Sequence, residues 1–248
     1  MTFGLREHRI LSIVLDIEGT TTPIAFVYDV LFPFVRTHLR THLQEHLATE
    51  PLQESIGRLR SEWAEEHARG EPVAEWRDSD SEATIASVAA WVEWLMERDR
   101  KSPALKLLQG QIWEGGYRTG ALQGEVFADV PPALARWRGR GLDIAIYSSG
   151  SVLAQQLLFG TTKYGDLTRF ISAFFDTGVG AKTSPDSYRR IADTMRCPIE
   201  RLLFVSDAAA ELNAAASAGC QVVLCVRPGN RPEQIAGSVV HHFDEISV

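Results

Sequence analysis

Four short apolar segments limit the possible folds of this chain more than any other feature of its sequence. Each is five or six residues long, rich in aliphatic and β-branched residues, and without alternation of apolar and polar positions. Segments of this kind are typical of strands that are buried on both faces, as in parallel sheets. They are Ile10–Leu15, Leu142–Tyr147, Leu202–Ser206 and Gln221–Val226.

Helical patterns separate the last three of these predicted strands. The segment SVLAQQLLFG ends at Gly160, a typical C-cap residue, and SPDSYRRIADTM opens with Ser184 as N-cap and Pro185 at the first helical position. The alanine-rich segment AAAELNAAASAG closes at Gly219. Strands that alternate with helices predict an α/β fold with an open, Rossmann-like parallel sheet.

The residues between the first two strands predict a different kind of unit. From about residue 23 to residue 124 no strand pattern occurs, and SEATIASVAAWVEWLMERD repeats apolar residues at helical spacing, with Ser81 as its expected cap. We therefore expect a Rossmann-like catalytic core built from residues 1–22 and 125–248. An all-helical cap domain of residues 23–124 is expected to act as a lid on the ligand.

Charge and cysteine content narrow the classes of partner. The formal net charge of −7 argues against nucleic acid or an anionic membrane as the main partner. The three cysteines form no CxxC pair, which fits a reducing compartment. No apolar run reaches the ~18 residues needed to cross a bilayer, and the first apolar segment lacks the pattern of a signal peptide. We expect a cytoplasmic monomer with no nucleic-acid or membrane partner.

Polar residues follow directly after the predicted strands. In open α/β sheets the ligand binds beyond the carboxyl ends of the strands, so these residues are expected to lie at one edge. They are Asp16 and Glu18 after the first strand, Ser148 and Ser149 after the second, Asp207 after the third, and Lys182 in the loop GVGAKTS.

This combination suits a phosphoryl group bound beside a divalent metal ion. The carboxylates of Asp16 and Asp207 are ligands that Mg²⁺ prefers. Ser148, Lys182 and backbone N–H groups at a helix start would hold the phosphate oxygens. These residues predict a Mg²⁺-dependent phosphoryl-transfer site.

A nucleophile and a proton carrier are present in the same set. Asp16 could attack phosphorus to form an aspartyl phosphate, with Lys182 and the metal neutralising the repulsion between the two anions. Glu18 could protonate the leaving oxygen and then take a proton from the attacking water. The sequence therefore predicts Asp16 and Glu18 as the catalytic residues.

Each residue alone also has a structural interpretation. A carboxylate or serine after a strand commonly forms a turn or caps a helix, and an isolated lysine is commonly solvated. A phospho-acceptor signalling domain uses the same residue types, and catalytic turnover distinguishes it from an enzyme. GVGAKTS does not match a nucleotide P-loop, because Ala181 separates Gly180 from Lys182. The repeat of His38, His42 and His46 is interpreted as a solvated helix face.

Several longer motifs resemble one family. The segments LDIEGTTTPIAFVYDVLFPF, LQGQIWEGGYRTG, IYSSGSVLAQQLLFG, FFDT, SYRRIAD and CVRPGN are similar to those of the enolase-phosphatases of methionine salvage, a branch of the haloacid dehalogenase superfamily. The similarity runs from about residue 13 to residue 230. The superfamily usually begins its first motif with Asp-x-Asp, and the sequence Asp16-Ile17-Glu18 is characteristic of this branch.

The resemblance implies a role for each site residue. It implies Asp16 as nucleophile and Mg²⁺ ligand, the main-chain carbonyl of Glu18 as second ligand and Asp207 as third, with one Mg²⁺ per subunit. It also implies that the substrate phosphate is bound by three further side chains. These are Ser148, Ser149 and Lys182. Glu211, the next acid after Asp207, is left as a neighbour of the metal site without a direct role.

The resemblance also implies a reaction. The substrate would be 2,3-diketo-5-methylthiopentyl-1-phosphate, which is enolised by loss of a C1 proton and then dephosphorylated to the acireductone. A phosphatase of the same superfamily acting on phosphoglycolate or a sugar phosphate is the nearest alternative. Glu18 is one methylene longer than the usual Asp, and we hypothesise that its reach serves the enolisation step.

Overall fold

The computed structural model describes residues 2–98, 100, 102–230 and 237–248. Eight strands and eight α-helices occur in this part of the chain. The strands are β1 Phe3–Gly4, β2 Ser12–Leu15, β3 Asp143–Tyr147, β4 Ala173–Phe175, β5 Leu202–Ser206, β6 Gln221–Cys225, β7 Ser238–Val240 and β8 Ile246–Ser247. The helices are α1 Phe32–His46, α2 Glu50–Ala68, α3 Ser81–Glu97, α4 Pro103–Thr119, α5 Val130–Arg138, α6 Val152–Gly160, α7 Pro185–Thr194 and α8 Ala209–Ala218.

Six of the strands form one parallel sheet in the order β4-β3-β2-β5-β6-β7. The first predicted strand, β2, is therefore central, with β3 and β5 as its neighbours. Leu15, the last residue of β2, pairs with Ile146 on β3 and with Val205 on β5. Because all of these strands are parallel, their carboxyl ends share one edge. A separate parallel pair joins β1 to β8 near the chain ends.

The sheet is buried on both faces, which explains the apolar strands. Successive side chains of a strand point to opposite faces, and Ile13, Val14 and Leu15 are all fully buried. Val14 belongs to a core cluster that includes residues of α7 and α8, among them Tyr188 and Leu212. Helix α5 contacts β3, and α8 contacts β5 and β6.

The prediction of a parallel α/β sheet is confirmed, with two strands missed. Strands β4 and β7 have only three residues each, and β4 is half-buried throughout. Three residues are too few to show a strand pattern against their surroundings. Two predicted caps differ by one residue, because Thr161 rather than Gly160 is the C-cap of α6, and Asp80 rather than Ser81 is the N-cap of α3.

Two compact units make up the chain, residues 1–28 with 122–248 and residues 29–121. The second unit contains α1 to α4. In α1, Val35, Leu39 and Leu43 are buried, and His38 and His46 are exposed, as the solvated-face interpretation expects. His42 departs from that interpretation, because it is half-buried and burial lowers its pKa. Helix α3 buries Trp91 and Trp94, whose rings stack at 4.8 Å. No helix in the described residues combines the length and apolarity needed to cross a membrane.

Candidate active site

Asp16 is the first residue after β2 and is buried although it carries a carboxyl group. The backbone N–H of Ile17 donates a hydrogen bond of 2.8 Å to Oδ1. The hydroxyl of Ser206, the last residue of β5, donates one of 2.9 Å to Oδ2. The ammonium of Lys182 lies 2.5 Å from Oδ1. Both oxygens therefore have donors, as a buried carboxyl group requires.

Lys182 is placed between two acidic side chains. Its Nζ contacts Asp16 and also lies 2.6 Å from Oε2 of Glu211. The hydroxyl of Tyr188, on α7, donates a 2.6 Å hydrogen bond to the backbone carbonyl of Lys182 and so holds the loop that carries it. Burial alone would lower the pKa of Lys182, but the charges of Asp16 and Glu211 raise it above its ordinary value. The lysine is therefore a fixed cation, contrary to the interpretation of it as a solvated residue.

Glu211 and Ser206 complete a closed set of contacts around this lysine. Oγ of Ser206 lies 3.2 Å from Oε2 of Glu211 and accepts a 3.1 Å hydrogen bond from the N–H of Ala208. Since that hydroxyl also donates to Asp16, the four side chains hold one another. We refer to Asp16, Lys182, Ser206 and Glu211 as the charged network.

Asp207 follows β5 and is half-buried beside the charged network. Burial, together with the charge of Asp16 and then that of Glu211, raises the pKa of Asp207 to about 7. Burial and the charge of Asp16 likewise raise the pKa of Glu211 to about 7. Three carboxyl groups face one ammonium here, so the site has an excess of negative charge whenever all of them are ionised.

The donor chemistry of the site fits a divalent metal ion. Carboxyl oxygens and an excess of negative charge are what Mg²⁺ selects, and it usually takes one or two carboxylates and keeps several waters. Among the described residues no group of three His, Cys, Asp or Glu side chains could hold a metal by itself. A site with Asp16 and Asp207 as its side-chain donors needs no such group, because backbone oxygens and water complete the coordination of Mg²⁺.

A tight turn follows Asp16 and brings Gly19 against Asp207. The hydroxyl of Thr21 donates a 3.0 Å hydrogen bond to the carbonyl of Asp16, and its N–H donates one of 3.0 Å to the carbonyl of Ile17. Gly19 has a φ of +70°, and a Cβ there would lie 2.2 Å from Oδ2 of Asp207. Both the backbone conformation and the missing side chain therefore require glycine at this position.

Glu18 differs from Asp16 in its exposure. Its side chain is exposed, whereas Asp16 is buried. Its backbone forms an isolated bridge with Thr22, which closes the same turn. An exposed carboxyl group two residues after the buried one can exchange protons with solvent or with a bound ligand, as an acid–base group must.

Ser148 and Ser149 follow β3, with Gly150 after them. We refer to these three residues as the serine loop. The N–H of Ser148 donates a 3.1 Å hydrogen bond to the carbonyl of Phe175 at the end of β4, and its Oγ accepts one of 3.2 Å from Gly150. The buried amide of Gln155, on α6, donates to the carbonyls of Gly150 and Phe175 at 2.8 and 2.9 Å. The loop is therefore held through its backbone.

The strand register brings the serine loop to the edge occupied by Asp16. Because Leu15 pairs with Ile146, Asp16 is level with Tyr147, and Ser148 is one residue further along the neighbouring strand. Neighbouring strands lie about 4.8 Å apart. Helix α6 starts just after the loop, with Ser151 as its N-cap. Its N-terminus is a ready site for an anion.

The structure thus brings Asp16 and Lys182 into contact and places the other predicted residues on adjoining strand ends. Sequence reasoning missed Ser206 and gave Glu211 no direct role. Ser206 is a hydroxyl in an otherwise apolar buried strand, a signal that was available. Glu211 lies in the first turn of α8, four residues after Asp207, and nothing in its local sequence reveals Lys182 as its partner.

Comparison with known proteins shows which family of enzymes this chain is similar to. Residues 10–219 match the model of the haloacid dehalogenase-like hydrolases. Enolase-phosphatase E1 of Synechococcus elongatus is 47% identical over 238 residues, which cover 96% of this chain and 98% of that protein.

Two further proteins extend the comparison. A Vitis vinifera protein named as a bifunctional methylthioribulose-1-phosphate dehydratase/enolase-phosphatase E1 is 46% identical over 226 residues, covering 89% of this chain and 43% of that protein. The crystal structure of the UTR4 protein of Saccharomyces cerevisiae aligns with a TM-score of 0.74 and 31% identity, covering 95% of this chain and 99% of that one.

Proposed function

We propose a mechanism from one premise: the chain belongs to the haloacid dehalogenase-like hydrolase family, and it is 47% identical along nearly its whole length to an enolase-phosphatase. The predicted resemblance and fold class are thereby confirmed. The protein is a phosphoric monoester hydrolase with enolase activity. It converts 2,3-diketo-5-methylthiopentyl-1-phosphate to 1,2-dihydroxy-3-keto-5-methylthiopentene and phosphate in methionine salvage.

The name of the plant relative supports this substrate. That protein joins an enolase-phosphatase to a methylthioribulose-1-phosphate dehydratase. Loss of water from a methylthioribulose 1-phosphate leaves a diketone that keeps the methylthio group and the phosphate ester. The product of one activity is then the substrate of the other. In this chain we assign the same diketone as substrate, with loss of the C1 proton giving the enol before the ester is cleaved.

Asp16 is the nucleophile in this mechanism. One of its carboxylate oxygens bonds to phosphorus while the bond from phosphorus to the ester oxygen breaks, which leaves an aspartyl phosphate. Glu18 gives a proton to the departing oxygen, and then accepts one from the water that hydrolyses the intermediate. The exposure of Glu18 supports this assignment, because its carboxyl group can be reprotonated between the two steps.

Lys182 and the serine loop bind the phosphate in this proposal. Lys182 already lies 2.5 Å from Asp16, so a phosphate that approaches Asp16 approaches a cation as well. This reduces the repulsion between the two anions. Ser148, Ser149 and the start of α6 supply hydrogen-bond donors to the remaining phosphate oxygens. Glu211, whose Oε2 lies 2.6 Å from Nζ, positions Lys182.

We assign the metal site to three oxygen donors: the side chains of Asp16 and Asp207, and the main-chain carbonyl of Glu18. Mg²⁺, one per subunit, would supply positive charge that offsets the negative charge of the carboxylates and the phosphate. The raised pKa of Asp207, to about 7, supports this assignment, because burial and neighbouring carboxylates disfavour its ionised form until a cation is present.

The wider organisation belongs to the same proposal. We assign residues 1–22 and 125–248 to the catalytic core and residues 23–124 to a helical cap that selects the substrate. The separate compactness of residues 29–121 supports this division. We expect a monomer that acts in the cytoplasm on a small phosphorylated substrate. The three buried free thiols of Cys197, Cys220 and Cys225 are compatible with a reducing compartment.

The observation that carries this proposal is the buried carboxyl group of Asp16 held against the ammonium of Lys182 at the carboxyl edge of a parallel sheet. The test supplies the diketo phosphate and Mg²⁺ to wild type and to Asp16→Asn, and follows ultraviolet absorbance and free phosphate together. Phosphate release should fall at least about a thousandfold in the variant. Asp186→Asn, an exposed aspartate in α7, is the matched control and should keep wild-type activity.

Two outcomes of this test count against the proposal. Phosphate release that persists in Asp16→Asn would falsify the nucleophile assignment. A wild-type protein that becomes stably phosphorylated without turnover would be a phospho-acceptor domain instead. Chelation of Mg²⁺ should stop phosphate release, and adding the ion back should restore it.

A further inference from the structure

The motif CVRPGN, residues 225–230, has no role in the mechanism above. It begins at Cys225, the last residue of β6, which is the next strand after β5 in the sheet, and therefore leaves the sheet at the same carboxyl edge as Asp207. The N–H of Asn230 donates a 3.0 Å hydrogen bond to the carbonyl of Arg227, so the motif folds back on itself in a turn. Its two polar side chains are then directed at the loop that follows Asp16.

Arg227 anchors this turn in the core. Its guanidinium is buried between the rings of Phe127 and Phe243, at 4.5 and 4.6 Å from their centroids. Nη1 donates a 2.8 Å hydrogen bond to Asp129, and Nε donates one of 3.0 Å to the carbonyl of Thr20. An arginine held on both faces and at two of its nitrogens fixes the position of the turn relative to the loop.

Asn230 reaches the site itself from this anchored turn. Its Nδ2 donates one hydrogen bond of 2.7 Å to the carbonyl of Gly19 and another of 2.9 Å to Oδ2 of Asp207. Both partners are acceptors, so the amide nitrogen rather than the amide oxygen must face them. The NH₂ group of Asn230 therefore links the Gly19 turn to the carboxyl group of Asp207.

Gly19, Asn230 and Asp207 are tightly packed against one another. A Cβ on Gly19 would lie 2.7 Å from Nδ2 of Asn230 and closer still to Oδ2 of Asp207. With Oδ2 of Asp207 bound to Asn230, the carboxyl group cannot rotate freely. Outer partners of this kind orient a ligating carboxylate, and losing one typically costs ten- to a hundredfold in metal affinity.

We propose that Asn230 is a positioning residue for the metal site: it fixes the rotation of the Asp207 carboxyl group and ties it to the Gly19 turn. This inference rests on the proposed function, because it takes Asp207 as a Mg²⁺ ligand. It gives the CVRPGN motif a role, the orientation of a metal ligand, that the mechanism above does not include and that the local sequence does not indicate.

The test measures Mg²⁺ binding directly, by isothermal titration calorimetry on the full chain without substrate. Asn230→Ala should raise the dissociation constant of Mg²⁺ about tenfold or more. Asn213→Ala, which removes an exposed asparagine in α8, is the matched control and should bind Mg²⁺ as wild type does. Urea unfolding of each protein, carried out without metal, reports stability separately.

A purely structural role for Asn230 is distinguished by a second control. Ile191→Val removes a methylene from the buried core on α7, outside the charged network and the CVRPGN motif, and so lowers stability without changing a polar group of the site. It should leave the Mg²⁺ dissociation constant unchanged, which shows that lower stability alone does not weaken binding. If Asn230→Ala binds Mg²⁺ as tightly as wild type, the inference is overturned.

Asp207→Asn separates failure of this inference from failure of the proposed function. If Asp207→Asn loses Mg²⁺ binding and Asn230→Ala does not, the metal site is right and the role of Asn230 is wrong. If Asp207→Asn binds Mg²⁺ as wild type does, the metal assignment itself is wrong, and the inference is overturned with it. Loss of binding in both variants, with both controls intact, supports the inference.

Discussion

The charged network and the serine loop lie at the same sheet edge but are held in place by different means. In the charged network the functional side chains bond to one another, as in the contacts of Lys182 with Asp16 and Glu211 at 2.5 and 2.6 Å. In the serine loop the backbone is held instead, by the amide of Gln155 and the carbonyl of Phe175. One region depends on compensation of charge, the other on the shape of a loop.

This difference in support indicates how strongly a substitution in the charged network or in the serine loop should affect activity. Removing one member of a buried charged set leaves its partners without compensation, which is costly. Removing a support of a loop leaves every functional group present but less well oriented, which costs less. The following predictions test this contrast, from the largest expected effect to the smallest.

Lys182→Met should produce the largest effect, because it keeps the length of the side chain and removes its charge. Asp16 and Glu211 then face each other without a cation, and the phosphate loses its partner. We expect kcat/KM for the diketo phosphate to fall about a thousandfold. Lys163→Met, which removes an exposed lysine, is the matched control and should have no effect. A Lys182→Met enzyme with more than a tenth of wild-type activity would contradict the role of the charged network.

Gln155→Met should have a smaller effect that falls mainly on binding. The substitution keeps the volume of the buried side chain but removes the donors to Gly150 and Phe175. We expect KM to rise about tenfold, equivalent to about 1.4 kcal/mol, with a smaller change in kcat. The neighbouring exposed Gln156→Met serves as control. A fall in kcat as large as that of Lys182→Met would mean that the two regions do not differ.

The pH dependence of stability should report on the acidic residues beside Lys182 alone, without any contribution from catalysis. In the metal-free protein the pKa values of Asp207 and Glu211 are raised to about 7. They are near 4 in the unfolded chain. The folded state therefore binds these protons more tightly, so the stability they contribute is full below about pH 4 and is lost as the pH rises through about 7.

Urea unfolding in the presence of a chelator measures this loss. Between pH 5 and pH 8 the free energy of unfolding should fall clearly more in wild type than in the double variant Asp207→Asn, Glu211→Gln, because only wild type releases these two protons over that range. Mg²⁺ should restore the stability at pH 8. Equal pH dependence in the two proteins would show that these carboxyl groups are not destabilised by burial and by their neighbours.

Much of the fold and part of the site could be predicted from the sequence, for reasons visible in particular residues. Strand β5 matches its predicted bounds, because a run of buried apolar residues is a local signal. The half-buried β4 carries no such signal and was missed. Asp16 was predicted because it directly follows a strand. Ser206, which donates a hydrogen bond to Asp16, lies 190 residues away in sequence. Nothing in the sequence near either residue indicates that the two are in contact.

The sequence by itself determined the elements and their order: apolar runs that form strands, glycine and proline at helix ends, and carboxylates directly after strands. These follow from burial and backbone conformation, which neighbouring residues dictate. Only the tertiary structure decided the partners, such as Glu211 for Lys182 and Asn230 for Asp207. Their contacts depend on strand order and register, and those are set when the whole sheet packs.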